Sequence, residues 1–321
     1  MANQSETYRF VLVGFPGLPE EFNTVISIPF LLLYSVSLCA NGMVIVLVVS
    51  KQNLHQPMYI IIASLSISDL LFDTAILPKV ISKYWYGADS MSYHECFLQM
   101  TIIHTCNPLD SLIIMLMAID RYVAICKPLR YHAIISNRVI IASCLMLYFM
   151  AFVIGLCVMS LANQLPYYAI NKIKNLFCAI GTTAVTSRIN VVAILLKAYY
   201  IGLACHLGPL SFIVFSYSII ITSVYSSGRS RTWAKALYTC ITHWFVIAVY
   251  NVPRLVVYTY EQLPTKPQHD IYVFLICLYT FVPHLSSPII FCLRNKEIEK
   301  TLTNIFGRRH SLNEHQSNFV F

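Results

Sequence analysis

The stretch VIIASCLMLYFMAFVIGLCVMSLA, residues 139–162, decides the class of fold. It contains no charged residue and is long enough to cross a bilayer, which takes about 20 mostly apolar residues in a helix. Six further windows are also long and mostly apolar. They lie at roughly residues 25–50, 58–80, 97–120, 191–225, 236–259 and 271–293. The sequence therefore predicts an all-α membrane protein with a bundle of seven transmembrane helices.

The composition of the whole chain agrees with a membrane location. Of the 321 residues, 57% are hydrophobic and 11% are charged, and the mean hydropathy is +0.65. A soluble domain carries about 25% charged residues, so an ordinary cytosolic enzyme is close to excluded. The net charge of +8 does not indicate a nucleic-acid partner, because the basic residues lie in short segments between the apolar windows and not on one soluble face.

The distribution of Lys and Arg predicts the orientation in the bilayer. With the N-terminus outside, basic residues exceed acidic ones more strongly in the inner segments than in the outer ones, as is usual for inner loops. Asn3 opens the glycosylation sequon Asn3-Gln4-Ser5, which requires an end outside the cytoplasm. The expected organisation is an extracellular segment (1–24), the helical bundle (25–293) and a cytoplasmic tail (294–321) in a multi-pass plasma-membrane protein.

Acidic residues inside the predicted spans are costly and therefore indicate function. Asp69 and Asp73 lie one turn apart in the second span, and Asp110 lies within the third. Paired acids could act as in an aspartyl protease, but these two lie at different depths and in no known catalytic motif. A buried cation site or hydrogen bonding between helices is favoured. A transporter or channel that uses these acids remains an alternative.

The sequence gives no support to an enzyme. No Asp or Glu occurs between Arg121 and Tyr260, so carboxylate acid–base chemistry has no source in the three spans between these residues. No HExxH, GxSxG, phosphate-binding glycine loop or CxxC pair is present in the sequence. We predict a protein without enzymatic activity.

Short motifs at the ends of the predicted spans carry a family resemblance. They are residues 54–59 (LHQPMY), 117–126 (MAIDRYVAIC), 216–217 (SY), 235–243 (KALYTCITH) and 283–288 (PHLSSP). In this order and spacing they resemble the odorant (olfactory) receptors of the rhodopsin-like G-protein-coupled receptor family. The opening FVLVGFPGL, residues 10–18, is similar to the fish-like (class I) branch. The resemblance implies a receptor that binds a small-molecule odorant in the outer half of the bundle and activates a stimulatory, olfactory-type heterotrimeric G protein. A G-protein-coupled receptor for a non-odorant small ligand is the other alternative.

The resemblance places G-protein activation at the inner ends of the third, fifth and sixth spans. Asp120 and Arg121 are expected to pair in the inactive state. The sixth span offers Lys235 where many relatives have an acid that locks this arginine, so that lock is absent from the sequence. The implied set is Asp120, Arg121, Tyr122, Tyr217, Lys235 and His243.

The resemblance places the ligand between the third, fifth, sixth and seventh spans. The polar residues expected there are His104, Asn107, His206, Asn251, Arg254, Tyr258 and Tyr279. His104 could instead be a hydrogen-bonded structural residue or pair with His206 around a metal, and Arg254 could extend to the outer surface. Because no acid lies clearly in this outer half, the expected ligand bears an acid or another acceptor that pairs with Arg254.

Two further features follow from the resemblance. One is a disulfide between Cys96 and Cys178. The other is a sodium ion at Asp69 and Asp110, the one bound ion that the resemblance allows; no other cofactor and no dedicated metal site are expected. Ser287 and Phe291 stand where the family usually has Asn and Tyr, a departure that weakens the sodium expectation.

Overall fold

The computed structural model describes residues 8–15, 17–165, 167, 170–184, 191–226, 230–261 and 269–294. Seven long helices occupy these ranges. They are α1 (Asn23–Ser50), α2 (Pro57–Tyr86), α3 (Tyr93–Cys126), α4 (Asn137–Asn163), α5 (Val192–Ser226), α6 (Ser230–Glu261) and α7 (His269–Arg294). Each coincides with one of the apolar windows, so the predicted seven-helix bundle is confirmed.

The helices differ in how much of their surface faces the surroundings of the bundle. Within the described residues, α1, α2, α4, α5 and α7 are long and apolar enough to cross a membrane, and α6 has a shorter apolar part, Trp244–Thr259. The most apolar window is 67% buried in α2 but 28% buried in α1 and in α4. The second helix is therefore central, whereas the first and fourth present apolar faces to lipid.

The third helix organises the interior, because it packs against α2, α4, α5 and α6. It is 34 residues long and carries Asp110, Asp120 and Arg121 among its apolar residues. The fourth helix approaches it closely at Gly155. A Cβ atom there would collide with Thr105 Oγ1 and lie 3.0 Å from the backbone oxygen of Thr101, so this contact requires glycine.

The outer end of α3 begins with a capping box, which fixes where the helix starts. The backbone N–H of Glu95 donates to Ser92 Oγ at 3.3 Å, and the backbone N–H of Ser92 donates to Glu95 Oε2 at 2.7 Å. These two bonds satisfy donors that the first turn leaves unpaired. The hydrogen bond from the Ser92 N–H lowers the pKa of the Glu95 carboxyl from its ordinary value.

A small sheet covers one end of the bundle, and the sequence analysis did not predict it. Its strands are β1 (Arg9–Leu12), β2 (Ser90–Ser92) and β3 (Ile170–Ile173), in the order β2-β1-β3. The first strand is antiparallel to β2 and parallel to β3. Phe10 and Leu12 alternate with more exposed residues and are fully buried beneath the sheet. Residues 9–12 are therefore part of the folded cap.

Candidate functional site

The inner end of α3 holds a local ion pair, as the sequence analysis expects. Arg121 Nη2 lies 3.4 Å from Asp120 Oδ2. The Tyr131 hydroxyl, from the loop that follows α3, donates to Asp120 Oδ1 at 2.8 Å. Burial and this bond to a carboxylate raise the pKa of Tyr131. Asp120 therefore connects the arginine to the inner loop. Sequence reasoning missed this role of Tyr131, which lies five residues after the end of the 117–126 motif.

The other inner residues lie on α3, α5 and α6. Tyr217 is buried, and its ring centre is 5.8 Å from that of Trp244 on α6. Tyr122 is partly buried and packs against the same hydrophobic core. Lys235 and His243 fall within α6, but their side chains lie outside the described residues. The contacts of those two with Arg121 stay a prediction.

At the outer side, α5 and α6 meet around Tyr258. The Tyr258 hydroxyl lies 3.4 Å from His206 Nε2, and the ring of Tyr199 packs edge-on against the Tyr258 ring at 6.2 Å. Gly202 lies one turn before His206 on the same face of α5. A Cβ at position 202 would lie 3.0 Å from the Tyr258 hydroxyl oxygen, so this glycine makes room for the tyrosine. Sequence reasoning missed Gly202 and Tyr199.

Two histidines of this region have ring nitrogens without a partner. Among the residues that the structure describes, His104 Nε2 on α3 and His206 Nδ1 on α5 are buried and make no hydrogen bond. The two helices pack directly against each other. A structural histidine with hydrogen bonds at both ring nitrogens would leave neither nitrogen without a partner. The alternative of a metal held between the two histidines stays a prediction.

Arg254 does not extend to the outer surface, because its side chain is 2% exposed. Its Nη2 lies 3.6 Å from Asp110 Oδ2, and its two terminal nitrogens donate to the Asn107 backbone oxygen at 3.0 Å and to Asn107 Oδ1 at 3.1 Å. The guanidinium that is expected to pair with a ligand's acid is therefore already paired within the bundle. Sequence reasoning judged Asp110 by its depth along α3 and overlooked the reach of a long arginine side chain.

Asn251 and Tyr279 are the other residues expected to bind the ligand. Asn251 donates to the backbone oxygen of Ile247 in its own helix at 2.9 Å. Tyr279 packs against a buried cluster that includes Phe72, Val273 and Ile103, the residue before His104. Their role in ligand binding stays a prediction.

The intramembrane acids surround a histidine that the predicted site residues omitted. His284 Nδ1 lies 2.8 Å from Asp73 Oδ1, and its Nε2 lies 3.6 Å from Asp69 Oδ1 and 3.9 Å from Asp110 Oδ2. All four side chains are at most 2% exposed. An ionisable residue within an apolar span is a signal that the sequence offered, but only the acids were considered there.

A disulfide joins the outer end of α3 to the loop before α5. Cys96 and Cys178 are bonded, with their Cα atoms 5.4 Å apart. Gln99 supports this connection, because its Oε1 accepts from the N–H of Cys178 at 2.8 Å and its Nε2 donates to the backbone oxygen of Ala75 at 2.8 Å. The disulfide expected from the resemblance is present. Asn3 of the sequon lies outside the described residues.

Comparison with known proteins identifies the family. The olfactory receptor family model matches residues 30–309. Human olfactory receptor 56B2 is 32% identical over 95% of this chain and 96% of its own length, and human olfactory receptor 52H1 is 30% identical over 93% and 95%. Mouse olfactory receptor 56B34 is 32% identical over 95% of each chain.

These matches settle the broad predictions made from the sequence. An odorant receptor that couples to a G protein, without enzymatic activity and with several spans in the plasma membrane, is confirmed. The related families 51, 52 and 56 are class I-like, as the opening residues indicated. A bundle of seven helices, a disulfide-tied outer loop and a full-length match to olfactory receptors lead to one conclusion: this chain belongs to the olfactory receptor family of G-protein-coupled receptors.

Proposed function

We propose that the odorant binds between α3, α5 and α6 against His104, His206 and Tyr258, and that Arg121 transmits binding to a stimulatory, olfactory-type α subunit. The observation that carries the binding site is the pair of buried ring nitrogens without partners, His104 Nε2 and His206 Nδ1. A buried polar group left without a hydrogen bond costs about 1–3 kcal/mol. A ligand that supplies the partner recovers this free energy.

The surroundings of these nitrogens define the chemistry of the ligand. The same stretches of α3 and α5 carry apolar side chains that belong to the bundle's clusters, including Ile103 and Ile201, so we expect most of the ligand surface to be apolar. Because Arg254 already pairs with Asp110, the polar group of the ligand faces the two histidines and not the guanidinium. A small apolar molecule with one carbonyl, carboxyl or hydroxyl group fits these requirements. Asn107, Asn251 and Tyr279 are proposed as further walls of the site.

The inner side supports the choice of Arg121 as the coupling residue. Arg121 is 20% exposed and, among the described residues, forms its ion pair with the adjacent Asp120. Because Asp120 also accepts a hydrogen bond from Tyr131, the carboxylate keeps a partner when a G protein displaces the arginine. Tyr122, Tyr217, Lys235 and His243 are proposed to line the same inner surface.

The experiment for the binding site is an odorant screen with a cAMP readout, followed by variants of the two histidines. His104→Ala and His206→Ala should each raise the half-maximal agonist concentration about tenfold, because each removes one hydrogen bond to the ligand. Surface expression, measured in parallel, should stay at the wild-type level. Unchanged potency in both variants would show that the ligand binds elsewhere.

A matched pair of glycine variants in α5 separates the site from general effects on the helix. Gly202→Ala introduces a methyl group 3.0 Å from the Tyr258 hydroxyl oxygen and should weaken the agonist response. Gly208→Ala, in the same helix, meets nothing within 4 Å and should leave the response unchanged. An equal loss in both variants would assign the effect to α5 and not to the pocket.

A further inference from the structure

The sodium ion that the resemblance implies at Asp69 and Asp110 does not fit this chain. The imidazole of His284 fills the space between the two carboxylates, with Nε2 3.6 Å from Asp69 Oδ1 and 3.9 Å from Asp110 Oδ2. Hard cations are bound by oxygen ligands, whereas imidazole suits transition metals. A ring nitrogen therefore stands where an alkali ion would need a further oxygen.

We infer that the imidazolium of His284 is the resident cation of this cluster and takes the place of a bound sodium ion. Both ring nitrogens face carboxylates, since Nδ1 lies 2.8 Å from Asp73 Oδ1. A neutral imidazole has one N–H and one lone pair, so one nitrogen would present its lone pair to an anion. The imidazolium has a donor on each nitrogen and satisfies both sides.

The charge of the surrounding groups favours such a cation. Three buried carboxylates, those of Asp69, Asp73 and Asp110, face each other, and Arg254 is the one other cation in contact with them among the described residues. Uncompensated charge is very costly in a low-dielectric interior. With His284 charged, two cations face the three anions in place of one.

The other groups around the cluster are neutral hydrogen-bond donors. On α1, the Ser37 hydroxyl donates to Asp73 and Asn41 Nδ2 donates to the His284 backbone oxygen at 3.1 Å. On α2, Ser68 donates to Asp110 at 2.7 Å, and on α6 the Tyr250 hydroxyl lies 3.2 Å from both Asp69 oxygens. The three hydroxyl groups position the carboxylates, and none of the four donors supplies a charge. The imidazolium therefore ties α7 to α2 and α3.

A transition metal is the competing occupant. Asp69, Asp110 and His284 each offer one ligand atom within 4.8 Å of the others, and Asp73 would orient the imidazole as a carboxylate often does in metal sites. The Arg254 guanidinium counts against this reading, because it lies 3.6 Å from Asp110 Oδ2 and would repel a divalent ion there more strongly than a singly charged imidazolium. The experiment below includes zinc for this reason.

The test is thermal unfolding of the purified full chain in lipid nanodiscs, in NaCl and in choline chloride at equal ionic strength. The wild-type Tm should be the same in both salts. In His284→Ala, removal of the cation and its volume should let sodium bind, so the Tm should rise with NaCl concentration and saturate. His104→Ala, which removes another histidine of the bundle, is the control and should show no sodium effect.

Two results of the unfolding experiment would overturn the inference. One is a sodium-specific rise of the wild-type Tm that Asp69→Asn abolishes. The other is a rise of the wild-type Tm with zinc chloride that His284→Ala abolishes. If His284→Ala does not fold, ¹⁵N NMR of histidine-labelled wild type measures the protonation of the His284 ring directly. Its signal is assigned by its loss in His284→Gln. Two protonated ring nitrogens support the imidazolium, and one unprotonated nitrogen refutes it.

Discussion

The ion pair between Arg254 and Asp110 is the connection between α3 and α6 whose removal should matter most for stability. Both side chains are at most 2% exposed, and Arg254 also donates twice to Asn107. Breaking a buried pair by removing one partner costs about 3–5 kcal/mol, because the other charge is left uncompensated. We therefore expect Arg254→Gln to lower the free energy of unfolding by roughly this amount.

The two single variants should differ, because the surrounding cluster has an excess of carboxylates. Arg254→Gln leaves Asp69, Asp73 and Asp110 with His284 alone, whereas Asp110→Asn removes one of the three anions. Asp110→Asn should therefore cost less than Arg254→Gln. The double variant should be more stable than the sum of the two single effects predicts, since it removes both charges together.

The assay is thermal unfolding of the purified receptor variants, with surface expression in cells as a second readout. Arg138→Gln is the matched control, because Arg138 is exposed at the start of α4 and should tolerate the change. Wild-type stability in Arg254→Gln, or strictly additive effects in the double variant, would contradict the buried pair and return Arg254 to the outer surface or to the ligand.

Four further predictions concern the outer side and the orientation. Replacing Cys96 or Cys178 with Ser should retain the receptor inside the cell, because losing a native disulfide typically costs about 2–5 kcal/mol; normal surface labelling of both variants would contradict this. Ser92→Ala should lower the Tm, by an effect of about 0.5–2 kcal/mol for a lost helix cap. The pKa of Glu95 is lowered in the folded state, so the stability that its carboxylate contributes is present above its ordinary pKa and is lost as pH falls through the lowered value. Glu95→Gln should therefore flatten the loss of Tm on acidification. An unchanged pH profile would refute this prediction. Epitope tags at the two ends should be accessible from opposite sides of the plasma membrane, and accessibility from one side only would exclude seven spans.

The positions of the helices could be predicted from the sequence because a spanning helix needs a long apolar run, and each run stands out by itself. The sheet could not be predicted in the same way. Phe10 and Leu12 alternate in a segment of only four residues, and its partners lie about 80 and 160 residues further along the chain. Such pairing depends on the helices bringing distant loops together, which no local pattern contains.

The contacts of the candidate site likewise differ in whether the sequence predicts them. The Asp120–Arg121 pair could be predicted, because the two residues are adjacent in the chain. The pair between Arg254 and Asp110 depends on the rotation of α6 against α3 and on a long, flexible side chain, and the sequence fixes neither. The role of Gly202 depends on Tyr258 of α6, which lies opposite it in the packed bundle. Contacts within one helix are readable from spacing, whereas contacts between helices require the packed bundle.

The central claim is that ligand binding in the outer half of this bundle activates a stimulatory G protein through Arg121. The most direct measurement is agonist-stimulated cAMP in cells that lack endogenous stimulatory α subunits, with and without the olfactory-type subunit restored. We predict a response only with the restored subunit, its loss in Arg121→Ala at an unchanged surface level, and its retention in Arg138→Ala. A cAMP response without the subunit, or a full response from Arg121→Ala, would contradict the account.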